Sequence, residues 1–162
     1  MTRKTFIIDD CEVTAGGVLF YKKNKLLMIR CNGKLEDFGG KADPNDSNIY
    51  ETISREVEEE SNNIFKKEDL YKKIIKKKVY ISVKSKYLFI FVKVNKNYNV
   101  GDFGNREIYE NIPRTVEWVH MDKFKNKDFV SENLAWRLRT KDFFQTIFGL
   151  KNKNITTLKK SE

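Results

Sequence analysis

The order of apolar and polar residues along this chain predicts a series of strands. Strand-like apolar runs occupy residues 13–21, 25–30, 79–83, 87–94 and 115–120. Turn-forming residues at 22–24 separate the first two runs, and Asn32-Gly33 supplies a second turn signal. Residues 87–94 are almost wholly apolar, which is typical of a central strand buried on both faces. We expect 79–83 and 87–94 to form a hairpin.

Helical periodicity appears in two segments, residues 47–61 and 134–148. At roughly 100° per residue, Ile49, Ile53 and Val57 form one apolar stripe on the first segment. The second segment repeats apolar residues at similar spacing and predicts a closing helix. Asp46 or Ser47 are candidates to cap the first helix.

Strands and helices in this order predict an α+β fold in which a sheet is sandwiched between helices. The chain contains no linker rich in Pro, Gly or Ser and no internal repeat. We expect one domain over residues 1–150, followed by a polar tail over 151–162.

Three glutamates share one side of the first predicted helix. With Glu56 at 0°, Glu60 falls at roughly +40° and Glu59 at roughly −60°, beside the apolar stripe. Arg55 flanks the group and offsets its repulsion or orients one carboxylate. Mg²⁺ binds a few carboxylates together with substrate phosphates, so the spacing suits a metal site. The alternative is a solvated acidic helix face; the apolar stripe and the glycine-lysine sequence at 39–41 favour the metal site.

The segment from Gly40 to Asn63 resembles the Nudix box of the Nudix hydrolase superfamily. That box reads Gly, five residues, Glu, seven residues, Arg-Glu, an aliphatic residue, any residue, Glu-Glu, any residue, Gly and an aliphatic residue. Six residues match it one by one: Gly40, Arg55, Glu56, Val57, Glu59 and Glu60. The departures are one extra residue between Gly40 and Arg55, and three replacements: Ser47 for the early Glu, Asn62 for the closing Gly, and Asn63 for the last aliphatic residue. Asn tolerates the left-handed conformation that a helix end often needs, so Asn62 is a mild departure.

The resemblance implies a Nudix-type α/β/α sandwich with a mixed β-sheet. It also implies a Mg²⁺ cofactor, with Mn²⁺ as a substitute, held by Glu56, Glu59 and Glu60. One of these glutamates, or a loop carboxylate for which Glu107 is the candidate, would activate the attacking water. The bland alternative for Glu107 is a surface charge.

The substrate implied is a pyrophosphate in a nucleoside diphosphate derivative, either a nucleoside tri- or polyphosphate or a dinucleoside polyphosphate. Gly39, Gly40 and Lys41 are candidates for phosphate contact. Tyr80 stands where dinucleoside polyphosphate hydrolases of this superfamily tend to carry a tyrosine. The rival substrates are the 5′ cap of mRNA and inositol pyrophosphates. A Nudix-like module that binds nucleotide or RNA without turnover is the alternative of another class.

Composition narrows the setting in which such a protein works. Hydrophobic residues make up 40% of the chain and aromatic residues 13%, which excludes a disordered polymer. No apolar run reaches the roughly 20 residues that span a membrane, and two cysteines do not make a disulfide framework. We therefore expect an intracellular, cytoplasmic protein with no membrane partner.

The net charge of +9, from 32 Lys and Arg against 23 Asp and Glu, makes the surface basic. A basic surface attracts polyanions, so RNA is a candidate partner; the alternative is a solvated lysine surface. The lysine-rich run at 72–78 reads as a charged edge strand or helix face. His120 ends an apolar run and reads as structural.

Overall fold

A computed structural model describes residues 3–150 of the chain. The strands are β1 (Phe6–Ile8), β2 (Cys11–Val13), β3 (Ala15–Lys22), β4 (Lys25–Cys31), β5 (Lys34–Glu36), β6 (Phe38–Lys41), β7 (Tyr80–Ser82), β8 (Tyr87–Lys93), β9 (Arg106–Glu107), β10 (Ile112–Pro113) and β11 (Thr115–His120). The α-helices are α1 (Ile49–Glu60), α2 (Lys67–Ile74), α3 (Lys127–Asn133) and α4 (residues 141–150). Short 3-10 turns span Val100–Phe103, Met121–Lys125 and Trp136–Leu138.

Seven of the strands form one mixed sheet. Its main path runs β11-β4-β3-β8-β7, and β5 and β6 pair with β4 and β3 respectively. The β3–β8 pair is parallel, whereas the other pairs in this sheet are antiparallel. Two small ribbons, β1–β2 and β9–β10, lie outside it.

The sheet opens between β3 and β4. These strands pair only from Phe20↔Leu27 to Lys22↔Lys25. Beyond that point the first half of β3 pairs with β6, and the end of β4 pairs with β5. The β5–β6 segment therefore fills a split in the sheet, on the side where the acidic helix packs.

Alternate residues of the central strands pack into two hydrophobic cores, one on each face of the sheet. On β4, Leu27 and Ile29 face the core beneath α1 and α2, while Leu26 and Met28 face the core beneath α4. This period of two is what a sheet covered on both faces requires. The predicted α+β class, with a mixed sheet between helical layers, is confirmed.

Several predicted elements are confirmed closely. The strand over Thr115–His120 has the predicted bounds, and β7 and β8 form the predicted hairpin, with β8 central between β3 and β7. The Asn32-Gly33 turn places both residues at positive φ, 51° and 76°. Cys11 and Cys31 are free thiols, each partly exposed.

Other boundaries of the predicted elements are wrong. The first predicted strand is interrupted at Thr14, whose N–H donates to the Lys86 carbonyl instead of continuing one ladder. The closing helix begins at residue 141 rather than 134, because the preceding segment bonds to Leu35 and forms a 3-10 turn. Helices α2 and α3 were not predicted; both are short, α2 buries only Leu70 and Ile74, and α3 has no fully buried residue. The predicted tail, residues 151–162, lies outside the described residues.

The structure shows where the lysine-rich run lies and whether any described helix could cross a membrane. Lys72 and Lys73 lie in the last turn of α2, so the lysine run begins on a helix face rather than an edge strand. Within residues 3–150, no helix is both long and apolar enough to cross a membrane.

Candidate functional site

Helix α1 is positioned by an apolar stripe and two caps. Ile49, Ile53 and Val57 are fully buried against the sheet. The N-cap is Asn48, whose side-chain oxygen accepts from the Glu51 N–H at 2.9 Å, so capping by Asp46 or Ser47 is wrong. After the helix, Asn62 and Asn63 adopt φ of 52° and 67°, which confirms a left-handed turn at the position of the box's last Gly.

The two glycines of β6 bring the glutamates of α1 against the sheet. The Gly39 N–H donates to Glu60 Oε2 at 3.0 Å. A Cβ on Gly40 would lie 2.4 Å from the carboxyl carbon of Glu56. A side chain at position 40 would therefore displace Glu56, and Gly39 uses its amide on Glu60. Lys41 is exposed, and its carbonyl accepts from Arg55 at 3.4 Å.

Arg55 is the centre of a carboxylate network. Its Nη1 donates to Glu56 Oε1 and its Nη2 to Asp46 Oδ2, both at 2.9 Å, and Nη1 lies 4.0 Å from Glu59 Oε1. Asp46 is only 3% exposed and also accepts from the Thr52 hydroxyl at 2.7 Å. Burial by itself would raise the pKa of Asp46, but hydrogen bonds from Arg55, the Asp43 amide and Thr52 lower it overall. Arg55 thus orients Glu56 and is itself held by an ion pair with Asp46.

The acidic side of α1 faces a cavity of about 160 Å³. Six carboxylates and one guanidinium are among the residues that line it, together with apolar side chains and a thiol: Ile29, Cys31, Glu36, Glu56, Glu59, Glu60, Glu107, Glu110, Ile112 and Arg114. The cavity lies at the split in the sheet, because β4 and β5 supply one wall and α1 supplies the opposite wall. We call it the acidic cavity.

Crowding and burial disfavour ionisation of Glu56, Glu59 and Glu60. Burial raises the pKa of Glu56 and Glu59, with Arg55 opposing the shift in both. Burial raises the pKa of Glu60 well above its usual range, and the negative charges of Asp37, Glu56 and Glu36 add to the effect. A cation in the acidic cavity would relieve both effects, since it compensates the charge and replaces lost solvation.

The two loop glutamates have different roles in the structure. Glu107 is 6% exposed, and its two oxygens accept from the N–H groups of Tyr109 and Glu110, both at 2.7 Å. Glu107 therefore shapes the loop from within. Glu110 lines the same cavity but is exposed to solvent. Sequence reasoning placed Glu107 at the site without finding that it holds Glu110 there.

Arg114 is a site residue that sequence reasoning missed. It is 5% exposed, and its Nη2 donates to the Glu60 carbonyl at 2.7 Å and its Nη1 to the Gly104 carbonyl at 2.8 Å. Its Nε is buried without a hydrogen-bond partner among residues 3–150. A single arginine before a strand carries no motif, so only the fold reveals that this charge borders the acidic cavity.

A buried polar network supports the strand that carries the glycines. Asp37, on the link between β5 and β6, accepts from the Tyr87 hydroxyl and from Arg137 Nη2, the latter at 2.8 Å. The Arg137 guanidinium also stacks on the Tyr87 ring, 4.8 Å from its centroid. Gly17 leaves the space for this network, because a Cβ there would lie 2.0 Å from Asp37 Oδ2. None of these residues was singled out from the sequence.

Tyr80 lies away from the acidic cavity. Its ring stacks on Phe89 with centroids 5.5 Å apart and meets Phe91 edge-on at 5.7 Å, in the core beneath α4. It is not among the residues that line the acidic cavity. A substrate contact for Tyr80 stays a prediction.

The carboxylates of the acidic cavity are potential ligands for a metal ion. Within residues 3–150, no three His, Cys, Asp or Glu side chains converge on one point as a preformed metal site. The chemistry of the donors nevertheless fits a hard cation, because Glu56, Glu59 and Glu60 offer only carboxylate oxygens. Mg²⁺ usually completes its shell with waters and substrate phosphates, so Glu56, Glu59 and Glu60 need not form a closed site by themselves.

Comparison with known proteins gives a match at the level of structure only. No family model matches the sequence, and no curated protein matches it. Solved structures that match include a NUDIX hydrolase from Nitrosomonas europaea, which is 15% identical, with 87% of this chain and 89% of that chain covered and a TM-score of 0.44. That similarity is too distant to carry the activity of the hydrolase over to this chain.

Proposed function

We propose that this protein is a metal-dependent hydrolase that cleaves a pyrophosphate bond in a nucleoside diphosphate derivative. The substrates proposed are a nucleoside tri- or polyphosphate or a dinucleoside polyphosphate. The observation that carries the proposal is the acidic cavity itself, where Glu56, Glu59 and Glu60 face loop carboxylates across a small space. Mutual repulsion and partial burial disfavour such a group of carboxylates, and a bound cation would compensate for both beyond what Arg55 and Arg114 supply.

Glu56, Glu59 and Glu60 are the residues that would hold Mg²⁺ or Mn²⁺. Such an ion, when bound, neutralises charge on the phosphoryl oxygens and lowers the pKa of water. The protein contributes the orientation of these ligands. Arg55 fixes Glu56 and the Gly39 amide fixes Glu60, so two of the three carboxylates are held before substrate arrives.

The reaction proposed is attack of a water oxygen on one phosphorus of the pyrophosphate. A new P–O bond forms, the bond to the bridging oxygen breaks, and the departing phosphate keeps that bonding electron pair. A carboxylate accepts the proton of the water. We favour Glu110 over Glu107 as the carboxylate that accepts this proton. Both oxygens of Glu107 already accept hydrogen bonds from backbone N–H groups, whereas Glu110 is solvent-exposed and lines the cavity.

Arg114 stabilises this arrangement from behind. Its guanidinium sits beside the acidic cavity and holds the last carbonyl of α1, that of Glu60. Burial lowers the pKa of Arg114, while the nearby Glu60 and Glu107 oppose that shift. We assign Arg114 a positioning role at the carboxyl end of α1, in addition to its compensation of negative charge.

A substrate panel tests the proposal. The purified protein would be incubated with Mg²⁺ or Mn²⁺ and nucleoside triphosphates, dinucleoside polyphosphates, capped RNA or inositol pyrophosphate, with products separated by chromatography. We expect metal-dependent release of a phosphorylated fragment from the nucleoside tri- or polyphosphate or dinucleoside polyphosphate group, and no release with a chelator. Cleavage of no member of the panel would overturn the proposal in favour of a module that binds without turnover.

A further inference from the structure

A second cavity, of about 490 Å³, lies at the β3–β4 turn. It is lined by three lysines, two asparagines and two aromatic side chains: Lys22, Lys23, Asn24, Lys25, Asn97, Tyr98 and Trp118. None of these residues is acidic, in contrast to the acidic cavity. We call it the lysine cavity.

The walls of the lysine cavity are held by hydrogen bonds between distant parts of the chain. Lys22 Nζ donates to Asn97 Oδ1 at 2.7 Å, and the Trp118 indole N–H donates to the Tyr98 carbonyl at 2.9 Å. Lys96 adds a further positive charge beside the cavity, 5.3 Å from the centroid of the Tyr98 ring. The cavity is therefore a built feature of the fold and not only a cluster of surface lysines.

Two lysines at the turn itself remain exposed. Lys23 and Lys25 are solvent-exposed, and Lys23 has a φ of 53°, the left-handed conformation of a tight turn. Ammonium groups at the rim of a cavity with aromatic and amide walls match a ligand that carries both phosphates and bases. Bases stack on aromatic rings and phosphates pair with lysines in proteins that bind single strands.

The lysine cavity and the acidic cavity are both bordered by residues in or just before β11. Val116 and Trp118 lie on the face of β11 that packs against the core beneath α1, and Arg114 directly precedes the strand. Arg114 lines the acidic cavity and Trp118 lines the lysine cavity. At about 3.4 Å per residue of extended chain, the two positions are about 14 Å apart.

We propose that the lysine cavity binds single-stranded nucleic acid, with phosphates at Lys23 and Lys25 and a base against Trp118. This site is separate from the proposed hydrolytic site and does not depend on its activity. It gives the basic surface of the chain a defined place at which a polyanion binds.

The test measures binding of a short single-stranded oligouridylate in the presence of a chelator, so that no hydrolysis intervenes. Trp136→Phe is introduced into every protein, which leaves Trp118 as the single tryptophan whose fluorescence a stacked base would quench. The test variant is K23Q/K25Q. The matched control is K127Q/K141Q, which removes two exposed lysines from helices α3 and α4, on the opposite face of the sheet.

We expect the oligomer to quench Trp118 and K23Q/K25Q to weaken binding by about tenfold or more at low salt. The slope of log affinity against log salt should fall by about 1.4, which corresponds to about 0.7 for each of two lost phosphate contacts. K127Q/K141Q should bind like the parent. Equal loss in both double variants, UMP binding as tightly as the oligomer, or an absence of binding would each overturn the proposal.

Loss of the lysine cavity and loss of the hydrolase are told apart by the two assays. The binding assay contains no divalent metal, whereas the substrate panel includes nucleoside triphosphates, which are mononucleotides. A negative binding assay therefore does not affect the proposed hydrolysis, and a negative substrate panel does not affect the binding result.

Discussion

Glu60 differs from the other glutamates of α1 in its hydrogen-bond partners. One of its oxygens is fixed by the Gly39 amide, its own carbonyl is held by Arg114, and burial raises its pKa well above the usual range. Glu58, two residues earlier, points to the other side and accepts from the Lys67 amide at 2.8 Å. Neighbouring residues of one type therefore have distinct roles because the helix turns them to different surroundings.

Glu60→Gln is predicted to lower turnover by about 100-fold or more, since it removes a charged ligand from the acidic cavity. The amide oxygen of Gln still accepts from Gly39, so the melting temperature should stay close to that of the parent. Steady-state hydrolysis and thermal unfolding measure the two effects. Glu58→Gln is the matched control and should retain activity; parent-like turnover in Glu60→Gln would refute the role of Glu60.

Glu107 and Glu110 are predicted to separate stability from catalysis. Glu107→Gln leaves one of two loop amides without a carboxylate acceptor, which should cost about 1–3 kcal/mol of stability. Glu110→Gln should leave the melting temperature unchanged and lower kcat by about 100-fold or more, as loss of a general base does. Thermal unfolding and kcat of both variants check this, and a large kcat loss in Glu107→Gln with unchanged stability would reverse the assignment.

At the scale of elements, the proposed site depends on strand β6 packed against helix α1. The strand supplies an amide and an empty volume, and the helix supplies three carboxylates beside a buried stripe. The fit depends on glycine at position 40, because the carboxylate of Glu56 occupies the space that a side chain would fill. The loop between them is stabilised by Asp46, which accepts hydrogen bonds from Arg55 and Thr52.

Gly40→Ala is predicted to keep the fold but to lower kcat/KM by up to about 100-fold, because Glu56 must move and small misplacements of catalytic groups are costly. The Glu56 side chain is flexible at its end, so it can yield without unfolding the helix. Gly149→Ala is the control, since a methyl group there meets no atom within 4 Å in the described structure. Equal kinetics for Gly40→Ala and the parent would show that Glu56 does not need its observed position.

At the scale of the whole molecule, the acidic cavity is lined mainly by carboxylates and the lysine cavity by lysines. The chain carries a net charge of +9, yet the acidic cavity gathers six carboxylates and one arginine. Under the proposed function, a divalent cation would bind at this one place on a molecule whose net charge favours anions. Binding that is specific to the folded state must also stabilise the fold.

Mg²⁺ at about 100 times its dissociation constant is predicted to stabilise the fold by about 2.7 kcal/mol. For a chain of this size that raises Tm by roughly 5–11 °C. Differential scanning fluorimetry with and without a chelator measures the rise. In Glu60→Gln the rise should shrink strongly; a rise of equal size in that variant would mean that Mg²⁺ acts elsewhere.

Local patterns in the sequence were sufficient for the strands at 87–94 and 115–120, the acidic helix and its left-handed exit at Asn62. Each depends on neighbours within a few residues, where periodicity and backbone preference act directly. The N-cap was misplaced by one or two residues because Asp46, Ser47 and Asn48 are all good caps, and only the tertiary contacts to Arg55 and Thr52 occupy Asp46.

Helical periodicity alone places Glu56, Glu59 and Glu60 on one side of a helix next to an apolar stripe, because 3.6 residues per turn leave no other arrangement. What those carboxylates face depends on the packing of the whole chain. The early divergence of β3 from β4 opens the sheet, and Glu36, Glu110 and Arg114 reach the cavity from segments far apart in the chain. Such long-range meetings depend on how sheets and loops pack, which no local period encodes.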